Sequence, residues 1–156
     1  MSGVNGRFLP HTTVACVVRS EERYLLVEEC IDGEPKLNQP AGHLEAQESL
    51  LAACQRELFE ETGLALAPQR LLRIYQFVAA DGTPFVRFTF ALTLPSIPPT
   101  APQDPDILRC HWLTKAQVLS RRHQLRSPLV LQSIEDFERG AGVPVDRALD
   151  LTLYHG

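Results

Sequence analysis

The chain has 156 residues, 44% of them hydrophobic, and a net charge of −4 at pH 7, which suits one globular domain over residues 1–156 that can bury a core without disulfide staples. No basic stripe or cluster occurs, so a nucleic-acid duplex is not an expected partner. No apolar run approaches the roughly 18 residues of a membrane span, and the N-terminal MSGVNGRFLP has no apolar core, so a cytoplasmic protein without membrane attachment is expected, with a monomer favoured and the oligomeric state left open.

Thr12 to Val18 is rich in β-branched residues and predicts a strand, and Tyr24 to Glu29 predicts a second, the two forming a hairpin. Lys36 to Pro40 reads as a short extended piece leading into a loop, where His43 is placed to touch a phosphate or to stand in solvent without a role. Cys16, Cys30, Cys54 and Cys110 are scattered with no C-x-x-C pair, so reduced cysteines within the core are expected.

The next segment, GHLEAQESLLAACQRELFEETGL from Gly42 to Leu64, reads as a loop, a helix and a glycine stop. Glu57, Glu60 and Glu61 fall at i, i+3 and i+4, within an arc of about 100° on one helical face. Like charges at those spacings repel by about 0.2–0.5 kcal/mol per pair, and the helix dipole further disfavours acids in the last turn. Arg56 neutralises part of the excess, and a bound divalent cation would neutralise the rest. Hard oxygen ligands suit Mg2+ or Mn2+ and not a thiolate-loving metal. Leu51 and Leu58 supply an apolar flank for docking on a core, and Gly63 is placed as a left-handed C-cap.

Leu71 to Val78 predicts a strand, Asp81-Gly82-Thr83 a turn, and Phe85 to Leu94 a further strand. Val86, Phe88, Phe90 and Leu92 make one face of that last strand apolar, hence core-directed. Phe85, Arg87 and Thr89 lie on the other face. It looks either into a substrate cleft, with Phe85 stacking and Arg87 meeting phosphate, or into solvent. Five prolines within Pro95 to Pro105 exclude helix and paired strand and predict an ordered loop ending near Asp104 and Asp106. Thr114 and Gln117 form a capping box for a short helix. Ser127-Pro128 starts a longer helix that ends at Gly140 and buries Val130, Ile134 and Phe137. The tail from Val143 carries no signal. These elements predict an α/β or α+β fold.

Nine positions of the Gly42–Leu64 segment (Gly42, Glu48, Arg56, Glu57, Leu58, Glu60, Glu61, Gly63 and Leu64) fit G-x5-E-x7-R-E-L-x-E-E-x-G-L, which resembles the signature of the Nudix hydrolases at every defined position. The resemblance implies an α/β/α sandwich with a curved mixed sheet and the motif's loop-helix-loop across it. It also implies metal ligation by Glu57, Glu60, Glu61 and the carbonyl of Ala41. Glu48 would be an outer carboxylate, Arg56 an orienting residue, and Glu57 or Glu61 the general base. Ala41 stands where the family usually has glycine. An extra acid from the loop before the Trp112 strand is common in the family, and Asp106 is the candidate here.

PHTTVACVV from Pro10, NQPAGHLE from Asn38, PFVRF from Pro84 and LRSPLV from Leu125 are similar to a bacterial phosphatase branch of that family. That branch implies stepwise orthophosphate release from nucleoside tri- and diphosphates and from the pyrophosphate ester of the hydroxymethylpyrimidine precursor of thiamine. Arg87, Arg126 and Ser127 are candidate contacts to the outgoing phosphate. Two other readings stay open at this point: a family member cleaving a nucleotide sugar or dinucleoside polyphosphate, and a nucleotide-sensing module without turnover.

Overall fold

The computed structural model describes residues 6–146 and 150–156. Strands β1 (His11–Ser20) and β2 (Arg23–Ile31) meet antiparallel at the predicted hairpin, and β3 (Glu34–Asn38) pairs with β2. A short β4 (Ala41–His43) pairs with β1 and leads into α1 (Leu50–Thr62). β5 (Arg70–Val78) and β6 (Pro84–Thr93) are antiparallel, and β6 runs parallel to β1 along a ladder from His11↔Phe85 to Arg19↔Thr93. β7 (Ile107–Thr114) pairs with β2, followed by α2 (Lys115–Ser120), α3 (Leu129–Glu138) and a two-residue β8 (Val143–Pro144) on β5. Among the described residues no helix is long and apolar enough to cross a membrane.

The sheet is buried on both faces, and the strand period of two sorts its side chains. Val14, Cys16, Val18, Leu25, Phe90 and Leu92 pack with Ala53, Cys54 and Leu58 of α1. Val17, Tyr24, Leu26, Leu72 and Ala91 pack with Val118 of α2 and with Val130 and Ile134 of α3. The result is the α/β/α sandwich, with an open mixed sheet between helices.

Several expectations need correction. The loop opening the motif is partly strand β4, because its backbone completes the edge of β1. The extended piece before it sits two residues earlier than expected, at Glu34–Asn38. The second face of β6 does not look into solvent: Arg87 and Thr89 are buried beneath the α3 side of the sandwich. Phe137 is only half-buried on α3, while the polar Ser133 and Asp136 are buried. Asp136 is kept there by Tyr75, whose hydroxyl donates to it at 2.6 Å. Cys16 and Cys54 are buried and Cys110 half-buried, all reduced, but Cys30 is exposed.

The start of α3 follows the Ser-Pro reading. Pro128 has helical angles (φ −59°, ψ −21°), and Ser127 Oγ accepts the Leu129 amide at 3.2 Å. The capping box at Thr114 and Gln117 is formed in both directions.

Candidate active site

Helix α1 begins at Ser49, whose side chain accepts the Ala52 amide, and ends at Gly63 with φ 77°. Its exposed C-terminal carbonyls are closed by the proline loop: the Ala101 amide donates to Thr62 O, and the Gln103 and Asp104 amides both donate to Glu60 O. That loop therefore fixes the end of the helix that carries the glutamates.

Arg56 is the hub of the acidic face. It donates to both oxygens of Glu48 (2.9 and 2.7 Å), to Glu57 (2.7 Å), to Glu60 (3.2 Å) and to the carbonyl of His43 (3.0 Å). Glu48 also accepts the Glu45 amide at 2.7 Å, and its hydrogen bonds with Arg56 hold its carboxyl below the usual range. Both of its oxygens thus carry hydrogen bonds, and it stands beside Arg56.

Glu57 and Glu61 are the acids that face inward. The Glu57 carboxylate lies so close to Gly42 that a Cβ there would stand 2.2 Å from its Cδ, which accounts for glycine at the head of the motif. Glu61 is 6% exposed and accepts the Ala41 amide at 2.9 Å. Burial pushes Glu61 up to about 9, with the charges of Glu29, Glu57 and Asp104 adding to the shift. Burial raises Glu57 as well, against the pull of Arg56. Glu60 is half-buried and the most exposed of the three, with its side chain 43% exposed.

Among the described residues no three acidic, histidine or cysteine side chains close on one point at metal-ligating distance. Arg56 draws Glu57 and Glu60 to itself while Glu61 turns to the Ala41 amide. The donor set still fits a hard divalent cation. It consists of carboxylate and backbone oxygens, and its most buried member has only a neutral amide for a partner.

Beside these acids opens a cavity of about 550 Å3. Ala41, Gly42, His43 and Glu61 form one side, Phe85 and Arg87 of β6 another, and Arg126 with Ser127 a third. Phe85 packs against Phe77 (6.4 Å, 30° between planes) and against His11 (5.4 Å). His43 is exposed at the mouth, 3.2 Å from the ring nitrogen of His11. The residues proposed from sequence for substrate contact therefore share one cavity. Asp106 does not: it is exposed, and its amide donates to Asp104 at 2.9 Å.

The NUDIX-domain family model matches residues 9–133. The chain belongs to the NUDIX family. As a Nudix hydrolase it acts on phosphoanhydride bonds. It is 50% identical over 139 residues to the phosphatase NudJ of Escherichia coli K12, an alignment covering 89% of this chain and 90% of that protein. A NUDIX hydrolase from Nitrosomonas europaea has a similar structure, with a TM-score of 0.83 at 42% identity over 91% of this chain and 97% of that one. The bifunctional NMN adenylyltransferase/ADP ribose pyrophosphatase of Francisella tularensis, solved with AMP and a manganese ion, shares the fold (TM-score 0.70, 22% identity, 85% of this chain and 42% of that one).

Four features in and around this Nudix cavity escape a reading of the sequence. Glu29 lines it, half-buried, with its carboxyl raised by burial and partly held down by Arg126. A β-bulge at Glu28–Glu29 re-aims that side chain, and nothing in the local sequence marks the bulge. Asn38 lines the cavity from the end of β3, and the turn around Ala79, Ala80 and Asp81 forms its rim. His11 was hidden by its place at the first position of a strand, though its pairing with Phe85 on β6 brings it to the aromatic wall.

Proposed function

We propose that this protein is a divalent-metal-dependent phosphatase of nucleoside tri- and diphosphates, and of the hydroxymethylpyrimidine pyrophosphate precursor of thiamine, that releases orthophosphate and works in the cytoplasm. The observation that carries the reading is the meeting of Glu61 with Arg87 and Arg126 around one cavity, with the Glu57 carboxylate directly behind its Gly42 wall, in a chain half identical to NudJ. Glu57, Glu60, Glu61 and the Ala41 carbonyl would hold Mg2+ or Mn2+. When bound, such a cation lowers the pKa of water and neutralises charge on phosphate oxygens.

The protein's own groups supply the remainder. A water attacks phosphorus, Glu57 or Glu61 accepts its proton, and the bond to the bridging oxygen breaks. Arg56 fixes the rotamer of Glu57 and, through Glu48, its own. Phe85 and His43 flank the ring of the substrate, while Arg87, Arg126 and Ser127 meet phosphate oxygens. Asp106 has at most an electrostatic part, through Glu29.

The test is to incubate the protein with Mg2+ and a panel of nucleotides, nucleotide sugars and the pyrimidine pyrophosphate, then to separate phosphate from pyrophosphate. Orthophosphate with a transient nucleoside diphosphate is expected, and turnover should stop with chelator. Pyrophosphate or a nucleoside monophosphate as the main product rejects the phosphatase reading, and full activity in excess chelator rejects metal dependence.

A further inference from the structure

The wall of the cavity contains a buried cation without an anion. Arg87 lies at mid-strand in β6, paired with Thr13 on β1 and with Tyr75 on β5, and is 8% exposed. Its one hydrogen bond among the described residues is from Nη2 to Asn38 Oδ1, at 3.2 Å. Its Nε is sealed from solvent with no acceptor, and no carboxylate of the described residues lies within salt-bridge distance of the guanidinium. Buried arginines are ordinarily matched by a carboxylate, because an uncompensated charge is expensive to remove from water.

The nearby acids are spoken for. Tyr75 donates its hydroxyl to Asp136, which also receives Gln132 and lies near Arg73 and Arg139. Glu61 is turned to the Ala41 amide. Burial lowers Arg87 only to about 10, so it keeps its charge at neutral pH. What remains unmatched is a charged fork fixed on one side by a neutral amide and lining a cavity large enough for a ligand.

We propose that Arg87 is the receptor for a tetrahedral oxyanion, the terminal phosphate of the substrate and then the orthophosphate product, and that Asn38 is its positioning residue. The neutrality of Asn38 is the specific point. An aspartate there would hold the guanidinium equally well but would cancel the charge the anion needs. The inference deepens the phosphatase reading above by naming what the wall of that cavity takes. It is tested by binding without turnover, so the two stand or fall separately.

The probe is inorganic phosphate, titrated calorimetrically into the full chain in excess chelator, with melting temperatures measured in parallel. Arg87→Gln should weaken phosphate about ten- to a hundredfold, the range of a hydrogen bond between charged groups. Asn38→Asp should weaken it similarly while melting at or above the wild type, since a buried pair replaces an unmatched charge. Asn38→Ala should give a smaller loss.

No phosphate binding by the wild type, or affinities within about twofold of it in both Arg87→Gln and Asn38→Asp, overturns the proposal. Lost affinity in Asn38→Asp with a lower melting temperature makes Asn38 merely structural and overturns its positioning role. If phosphate binding depends on Arg87 while pyrophosphate proves to be the reaction product, the oxyanion site survives and the phosphatase reading does not.

Discussion

Glu61 shows what burial does to a charge that the sequence alone treats as a surface repulsion. From spacing, removing it would relieve only the interactions with Glu57 and the helix end, about 0.5–1 kcal/mol in a partly solvated site. In the structure it is 6% exposed with a carboxyl raised to about 9. A group raised in the folded state stabilises fully below its unfolded value, and that contribution is lost as pH climbs towards the folded value. The metal-free protein should therefore lose stability steadily between about pH 4.5 and 9, and Glu61→Gln should flatten that slope. At pH 7, 2.5 units above the ordinary 4.5, the difference is on the order of 3 kcal/mol, or roughly 6–12 °C of melting temperature. Catalysis should nearly vanish, and Mg2+ should stabilise the variant less than the wild type. Melts at pH 5, 7 and 9 with chelator and with Mg2+ check this, and parallel curves for the two proteins would refute it. Gly42→Ala is the complementary change. The three atoms its Cβ would meet first all belong to the Glu57 carboxylate, the nearest at 2.2 Å, so that group must move. Turnover should fall about a hundredfold with melting almost unmoved.

At the scale of elements, α1 is held at its last turn by a loop some forty residues further along the chain. Gly63 has φ 77°, and a Cβ there would stand 2.4 Å from the Ala101 carbonyl oxygen. Gly63→Ala is expected to destabilise by about 1–3 kcal/mol through strain and displacement of the loop, a fall measurable by denaturant titration. An unchanged midpoint would mean that the loop moves freely. The helix, its glycine stop, the long strands and the capping box were legible because each is written locally, in periodicity and in cap residues. The docking of the proline loop, the strand at Ala41–His43 and the bulge that turns Glu29 inward were not, since each depends on a partner distant in sequence. Arg87 lay between the two cases. Alternation placed it opposite Phe88, but a polar row on a strand reads the same facing a cleft or water until the covering helix α3 is known.

On the scale of the whole molecule, the two apolar clusters fix the sheet from both sides, and a one-residue slip of β6 would exchange Arg87 and Phe88 between them. The parallel ladder between β1 and β6 begins with His11 opposite Phe85, 74 positions later (85 − 11), and α1 lies wholly within the loop so closed. Pairing over that separation is slow compared with helix formation, because the ordering of the intervening chain precedes its reward. The Ala41–His43 side of the cavity and its Phe85–Arg87 side come from strands that are joined through β1 only at that step. After dilution from denaturant, helical circular dichroism should recover ahead of phosphate release, and hydrolysis should return only with the slowest phase of refolding. Simultaneous recovery would mean that the sheet closes as early as the helix. A ribosome-bound chain still lacking β6 would carry the complete glutamate helix and remain inert.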